Sequence, residues 1–240
     1  SLQVQGIPPA SSGAPAANTG GASSATPLFD FSSAFSGGGM TSRAVTWRRS
    51  GSDAAAEARR AGVPLLIFFS NRSSPTATML EVMLNSAPEA ATIGQHYIPL
   101  YIDFASKETR ESLYYRAVLD RYKPRGYPVL LVALPDGSEV VRQSGYAGET
   151  RTEPEWRKRT LQFISSAVAQ SEKASALRRK RLEQEGYRIW TNNQGKPVFA
   201  RLDTLDANQA TFTGEWGESF RTFTSRLSEA DRLAIEARNP

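Results

Sequence analysis

Residues 64–84 read PLLIFFSNRSSPTATMLEVML, and this stretch decides the fold. Its first part, residues 65–69, is short and continuously apolar, which is typical of a strand buried on both faces of a sheet. Ser74 and Pro75 then suit the N-cap and first position of a helix in which apolar residues recur at helical spacing. A strand, a loop and a helix N-terminus in this order form a common place for a reactive group, because the free amides of the helix favour an anion.

The loop of this stretch resembles the active-site segment of thioredoxin-like proteins. Ser73 and Thr76 stand where that family has the two cysteines of its Cys-Gly-Pro-Cys motif. The four positions of this degenerate active-site loop are Ser73, Ser74, Pro75 and Thr76. Residues 122–129, YKPRGYPV, resemble the cis-proline segment of the family, and residues 130–145 resemble the hairpin that follows it. The resemblance spans residues 47–169 and implies a mixed central sheet flanked by helices.

The chain lacks the chemistry that the resembled family uses. It contains no cysteine, and a serine or threonine hydroxyl cannot form a mixed disulfide, so composition excludes disulfide exchange. Ile67 also stands where many members of the family keep a buried acid that helps to transfer protons to the dithiol.

The sequence also lacks the residue combinations that hydrolysis and metal-dependent catalysis need. A nucleophilic Ser73 would need a base, and the one histidine, His96, has no evident acid partner, so a hydrolase is only a remote third possibility. With one histidine and no carboxylates clustered at ligand spacing, the sequence predicts no metal site. We expect no cofactor and no enzymatic activity.

Tyr127 and Pro128 are the candidate peptide-binding residues. A proline just before a central strand removes a hydrogen-bond donor from the sheet, which is costly unless the position is used. In the resembled family a cis-proline here leaves backbone groups free to pair with an extended peptide beside the active-site loop, and such strand addition needs no redox chemistry. The alternative is a cis-proline kept for fold geometry alone, and the sequence leaves both interpretations open.

Residues 1–43 form a low-complexity tail dominated by Ser, Gly, Ala, Pro and Thr. Such a composition cannot bury enough surface to offset its ordering entropy on its own. Phe29, Phe31 and Phe35 interrupt it and are candidate interaction residues. The tail is either a tether with incidental aromatics or a docking segment that orders against a partner or against its own globular part.

The C-terminal part of the sequence has a different pattern from residues 44–169. Residues 186–240 contain short β-rich runs separated by turns, which predict a small antiparallel barrel. Four short motifs of this part are Trp190-Thr191, Gly195-Lys196, Ala200 and residues 227–231. Together they resemble the SLA-one homology domain, an SH3-like module that binds peptides in an endocytic adaptor. Trp216, in a glycine-flanked turn, is expected to be an exposed anchor for a partner. Residues 170–185 are expected to be a charged helical connector between this module and residues 44–169.

The charge pattern does not indicate nucleic-acid binding. The formal charge is +5, from 29 basic and 24 acidic residues. Glutamates interleave with the Arg-rich run near residue 180, as on a solvated helix face. The longest apolar run is far too short for a transmembrane segment.

The sequence therefore predicts an α/β fold, with a thioredoxin-like domain followed by a small SH3-like β-barrel. We expect a redox-inactive protein that acts by protein–protein binding, as a structural or accessory subunit of an exported multi-subunit assembly. The alternative is a periplasmic, chaperone-like factor that holds peptides on the degenerate active-site loop and the cis-proline surface. The resemblance of the C-terminal part to the SLA-one homology domain implies an exported location, in the periplasm or another extracytoplasmic space of a bacterium.

Overall fold

In the computed structural model, the residues described are 45–144, 152–206 and 208–237. The tail with Phe29, Phe31 and Phe35 lies outside them, so its role as tether or docking segment stays a prediction. Within residues 45–144 the elements are α1 (Gly51–Ala61), β1 (Leu65–Ser70), α2 (Pro75–Leu84), α3 (Glu89–His96), β2 (Ile98–Asp103), α4 (Lys107–Glu111), α5 (Leu113–Tyr122), β3 (Val129–Ala133) and β4 (Glu139–Gln143). The later elements are α6 (Glu153–Gln184), β5 (Arg188–Thr191), β6 (Pro197–Asp206), β7 (Gln209–Gly214), β8 (Ser219–Phe223), a 3-10 turn (Thr224–Arg226) and α7 (Glu229–Glu236).

The first sheet has four strands in the order β2-β1-β3-β4. β1 runs parallel to β2 and antiparallel to β3, and β3 runs antiparallel to β4. An extended segment at Arg48 continues the sheet beyond β2: the Arg48 N–H donates to the Pro99 carbonyl at 2.8 Å, and the Tyr101 N–H donates to the Arg48 carbonyl at 2.9 Å. This strand order and these directions are those of a thioredoxin-like fold, which confirms the fold predicted for this part of the chain.

The strand predicted at residues 65–69 lies inside this sheet, between β2 and β3. All six residues of β1 are buried. Successive side chains of a strand point to opposite faces, so β1 contributes to two apolar layers. Leu66 and Phe68 pack in the layer that contains residues of α2, α3 and α6, whereas Ile67 and Phe69 pack in the layer that contains residues of α1 and α5.

A single helix, α6, runs from the first sheet to the second. It has 32 residues. Trp156 and Phe163 in its first half are buried in the core of the first sheet, and Leu182 is buried near its end. The helix has no break at residues 169–170, so the expected connector is its second half. The boundaries of the domains stay a prediction.

The second sheet is antiparallel, with the strand order β5-β6-β7-β8. The predicted β-rich runs are therefore confirmed as strands, but the sheet is open where a closed barrel was predicted: within the described residues no pairing joins β5 to β8. The free edge of β5 is occupied by the segment that leads into α7, because the Ser228 N–H donates to the Thr191 carbonyl at 2.8 Å and Asn192 bridges to Leu227. One face carries a small core of Trp190, Ala200, Ala210, Phe212, Leu227 and Ile235.

Candidate functional site

The predicted loop and the predicted cis-proline segment lie at the same end of the first sheet. The strand register pairs Ser70 at the end of β1 with Asp103 at the end of β2, and it pairs Phe69 with Val129 at the start of β3. The loop after β1, the end of β2 and the segment before β3 therefore form one edge. We call it the loop edge and define it as residues 71–76, 103 and 126–128.

Local hydrogen bonds shape the degenerate active-site loop. The Asn71 side-chain oxygen accepts from the Ser73 N–H at 3.1 Å, and the Asn71 carbonyl accepts from the Ser74 N–H at 2.8 Å. An asparagine that bonds its own backbone in this way makes a compact polar turn. Ser74 is the N-cap of α2, with φ −97° and ψ 124°, and Pro75 lies in the first turn of the helix, as predicted.

The hydroxyl groups of Ser73, Ser74 and Thr76 make no hydrogen bond within the part of the chain that the structure describes. His96 lies just before β2, whereas the loop adjoins the far end of that strand at Asp103. A strand of this length spans about 17 Å. The structure therefore does not bring the histidine to Ser73, and the hydrolase alternative lacks its histidine base.

A polar network that the sequence did not predict lies beneath the loop. Its centre is the hydroxyl of Tyr101, a buried residue of β2. This hydroxyl accepts from Arg72 Nε at 3.0 Å, and it lies 3.1 Å from both Glu81 Oε2 and Ser70 Oγ. Arg72 Nη2 donates to Glu81 Oε1 at 3.3 Å, and the Arg72 N–H donates to Asp103 Oδ1 at 3.2 Å. The network ties the loop to α2 and to the ends of β1 and β2.

Two arginines lie at the face of the Tyr101 ring. The Arg49 guanidinium lies 3.8 Å from the ring centroid and the Arg72 guanidinium 5.4 Å from it, distances at which a cation is attracted to an aromatic face. The hydrogen bond with Tyr101, and after it the contacts with Glu81, raise the pKa of Arg72 above its ordinary value. The Arg72 side chain remains 54% exposed, so its charge is held in place and still accessible to a partner.

The peptide bond between Tyr127 and Pro128 is cis, as predicted. Pro128 is buried and Tyr127 is half-buried, with its ring 5.3 Å from that of Phe104, and burial raises the pKa of Tyr127. Gly126 before them has φ +75°, a left-handed conformation that favours glycine. Within the described residues the Tyr127 N–H and carbonyl make no hydrogen bond. Peptide binding by Tyr127 and Pro128 stays a prediction.

Trp216, in the turn between β7 and β8, is partly buried rather than exposed as predicted. The Arg178 guanidinium of α6 lies 5.2 Å from the centroid of its ring. The ring lines a groove of about 630 Å³ together with Pro64, His96 and Val168. Pro64 precedes β1 and His96 precedes β2, so this groove lies at the opposite end of the first sheet from the loop edge.

In residues 45–144, 152–206 and 208–237, no group of three or more His, Asp or Glu side chains could hold a metal ion. No helix in these ranges is long and apolar enough to cross a membrane.

The chain is similar to solved structures of thioredoxin-like proteins. No protein-family model matches it, and no curated protein matches it. It is similar to the DsbH oxidoreductase, with 17% identity, coverage of 51% of this chain and 85% of that chain, and a TM-score of 0.41. It is also similar to a thioredoxin from Thermus thermophilus, with 18% identity, coverage of 51% of this chain and 88% of that chain, and a TM-score of 0.38. A third similar structure is a disulphide isomerase from Xylella fastidiosa Temecula1, with 19% identity, coverage of 48% of this chain and 86% of that chain, and a TM-score of 0.38. The fold assignment itself rests on the strand order and strand directions.

Proposed function

We propose that this chain binds protein partners at its loop edge and performs no thiol chemistry. The observation that carries the proposal is that Ser73 and Thr76 occupy the two cysteine positions of a thioredoxin-like fold, in a chain without cysteine. Without a thiolate no mixed disulfide with a substrate forms. The edge that presents the reactive group in redox-active thioredoxin-like proteins is retained while the reactive group is absent, which is the pattern expected of a binding protein.

The network beneath the loop supports this proposal. Tyr101 and Glu81 hold the Arg72 side chain, and Asp103 holds the loop backbone, so a partner meets a loop that is already ordered. Ordering before association lowers the entropic cost of binding. A partner carboxylate beside Arg72 would gain a charge-assisted hydrogen bond.

The chain, within this proposal, is a structural or accessory subunit of an exported assembly, in the periplasm or another extracytoplasmic space. The resemblance of the C-terminal part to the SLA-one homology domain, which in bacteria occurs in exported proteins beside thioredoxin-like domains, supports the location. We assign the second sheet to an SH3-like SLA-one homology module, supported by its motifs and its separate core. Such a module would give the chain a second surface for protein contacts.

The Tyr127 backbone makes no hydrogen bond within the described residues, and this observation favours a second candidate function. An extended peptide can pair its own N–H and carbonyl groups with those of Tyr127, beside the degenerate active-site loop. The chain would then hold unfolded clients transiently, as a chaperone-like factor. The two functions differ in the number of partners and in the lifetime of the complex.

Affinity purification of the full chain from its native cells, followed by mass spectrometry, separates these functions. One partner in fixed stoichiometry supports the accessory subunit, and many substoichiometric clients support the peptide-holding factor. Labelling of Ser73 by a phosphonate probe would contradict both in favour of a hydrolase.

A pair of matched variants tests the site itself. Ser73→Tyr places a bulky ring on the exposed loop and should lower partner recovery about tenfold. Ser165→Tyr places the same ring on an exposed face of α6 and should leave recovery unchanged. Equal recovery with the two variants would contradict binding at the loop edge.

A further inference from the structure

Two arginine side chains converge on one tyrosine ring at the edge of the first sheet beyond β2. The extended segment at Arg48 pairs with β2 and places Arg49 beside Tyr101, and Arg72 reaches the same ring from the loop after β1. The Arg49 guanidinium lies 3.8 Å and the Arg72 guanidinium 5.4 Å from the centroid of this ring. The two cations are therefore close enough for one short segment of a partner to contact both.

Arg49 carries the uncompensated charge of this pair. Arg72 has an ion-pair partner in Glu81, at 3.3 Å. Arg48, next to Arg49 in the chain, is paired with Glu57 at 2.6 Å. Arg49 itself is exposed, and its guanidinium makes no ion pair and no hydrogen bond with any of the described residues. Its positive charge complements a negatively charged partner.

Apolar side chains adjoin the two arginines. Trp47 lies two residues before Arg49, on the same face of the extended segment, and its ring centroid is 6.2 Å from that of Tyr101. The Trp47 Nε1 donates to Asn85 Oδ1 at 3.2 Å. Val82 in α2 precedes Asn85 by three residues, so the two are neighbours on the helix surface, and Val82 is 64% exposed. A partner that covers this valine therefore also meets the arginines.

We propose that this surface binds an acidic segment of the partner protein. We call it the arginine face and define it as residues 47, 49, 72, 82 and 101. One carboxylate of the segment accepts from Arg49 and a second accepts from the exposed side of Arg72, while an apolar side chain covers Val82. Charge-assisted hydrogen bonds and the burial of apolar area both contribute to such binding. The recognised chemistry is a pair of neighbouring carboxylates beside an apolar side chain.

The acids around Arg72 favour a peptide over a nucleic acid. Glu81 lies 3.3 Å and Asp103 3.9 Å from the Arg72 guanidinium. A nucleic acid carries a negative charge at every nucleotide, so its backbone would meet repulsion from these two carboxylates. A peptide brings its carboxylates only where the two arginines lie, and its apolar side chain suits Val82.

The inference rests on the proposed function, because Arg72 belongs to the loop edge, and it names the chemistry of the partner there. It also places the partner away from the cis-proline segment. β1 lies between β2 and β3 in the sheet. Tyr101 on β2 and Pro128 before β3 therefore lie on opposite sides of the loop that follows β1. A segment bound at the arginine face does not need the backbone of Tyr127.

Fluorescence anisotropy of a labelled synthetic peptide with the full chain tests the inference. The peptide is Gly-Ser-Glu-Glu-Phe-Ser-Gly, and its analogue carries Gln in place of both Glu. We expect the acidic peptide to bind about tenfold more tightly than the analogue, and added salt to reduce this difference. Arg49→Gln should lower the affinity for the acidic peptide about tenfold and leave that for the analogue unchanged. Arg60→Gln, at an exposed arginine near the end of α1, changes the net charge equally and should bind like the parent chain.

Several results would overturn the inference. These are equal affinity for the two peptides, no binding of the acidic peptide, and equal effects of Arg49→Gln and Arg60→Gln. Displacement of the acidic peptide by inorganic phosphate, at an ionic strength at which chloride does not displace it, would assign the arginines to a phosphate group instead. The comparison of the two peptides on the parent chain decides the matter even if Arg49→Gln fails to fold.

Recovery of the native partner separates a failure of this inference from a failure of the proposed function. Recovery that falls with Ser73→Tyr but not with Arg49→Gln would leave binding at the loop edge intact and contradict the arginine face alone. Recovery that falls with neither variant would contradict the proposed function as well. A loss with both variants, together with the preference for the acidic peptide, is the result we expect.

Discussion

The Arg178 guanidinium, on the second half of α6, lies 2.6 Å from the Asp136 carboxylate in the turn between β3 and β4. The same side chain donates to the Glu215 carbonyl at 3.0 Å and lies against the ring of Trp216, both in the turn between β7 and β8. The Arg178 and Asp136 side chains are 21% and 18% exposed. One largely buried arginine therefore joins the two sheets, at the end of the first sheet that is opposite to the loop edge.

Arg178→Ala should lower the free energy of unfolding by about 2–3 kcal/mol, because it leaves the Asp136 carboxylate without its cation in a largely buried place. Arg178→Lys keeps the charge but not the planar fork that reaches Asp136 and Glu215 together, so it should recover only part of the loss. Urea unfolding measures both changes. Arg181→Ala, at an exposed arginine of the same helix, should change stability by less than about 0.5 kcal/mol. If Arg178→Ala is as stable as the parent chain, the pair does not join the sheets.

Trypsin should cut the Arg-rich run of α6 slowly in the parent chain. Residues 178–181 lie within a continuous helix, and Arg178 is held by Asp136, so cleavage requires local unfolding. Asp136→Asn removes the charge partner and should increase the cleavage rate near residue 180, which mass spectrometry of the fragments measures. Asp206→Asn, at an exposed aspartate of β6, is the matched control. Rapid cleavage of the parent chain would support the independent connector that the sequence predicts.

The sequence predicts much of the fold because the signals involved are local. The apolar run at residues 65–69 identifies β1 without any knowledge of its neighbours, since a strand with both faces buried carries its own pattern. Ser74 and Pro75 mark the start of α2 because capping depends on adjacent residues. The strands of the second sheet are equally visible as short β-rich runs between turns.

The sequence does not predict features that depend on contacts between distant residues. Tyr101 meets Arg72 and Glu81 only because β1 and β2 pair in one particular register and α2 lies across them. Trp216 was expected to be exposed because its glycine neighbours indicate a turn. Its partial burial involves contact with Arg178 on α6, and local sequence does not predict a contact with a residue so far away in the chain. Whether the second sheet closes depends on which segment reaches the edge of β5, and the segment at Leu227 does so.

Tyr101→Phe should lower the free energy of unfolding by about 1–2 kcal/mol, because one buried hydroxyl lies within hydrogen-bond distance of Arg72, Glu81 and Ser70. Arg72 and Glu81 keep their own contact of 3.3 Å, so the loss stays moderate. Thermal unfolding measures the stability, and hydrogen exchange of the loop amides should become faster. Tyr114→Phe removes the hydroxyl of a tyrosine that is 40% exposed and makes no hydrogen bond within the described residues. Equal effects of the two substitutions would contradict the role of the network.

Glu218, beside the turn that Arg178 contacts, should make the chain less stable as the pH rises. Burial, and after it charge repulsion from Glu215, raises the pKa of Glu218 above its ordinary value of 4.5. The folded chain therefore holds the Glu218 proton more tightly than the unfolded chain does. The stabilising contribution is complete below pH 4.5 and is lost as the pH rises through the raised pKa.

Glu218→Gln removes this titration and keeps a side-chain oxygen that can accept from the Trp216 N–H, a bond of 3.0 Å in the parent chain. The stability of the parent chain relative to this variant should therefore fall as the pH rises from 4.5 through the raised pKa of Glu218. Urea unfolding at a series of pH values measures the difference. Glu236→Gln, at an exposed glutamate at the end of α7, should follow the pH dependence of the parent chain. If the difference between the parent chain and Glu218→Gln stays constant or grows with pH, burial does not raise the pKa of Glu218 in the folded chain.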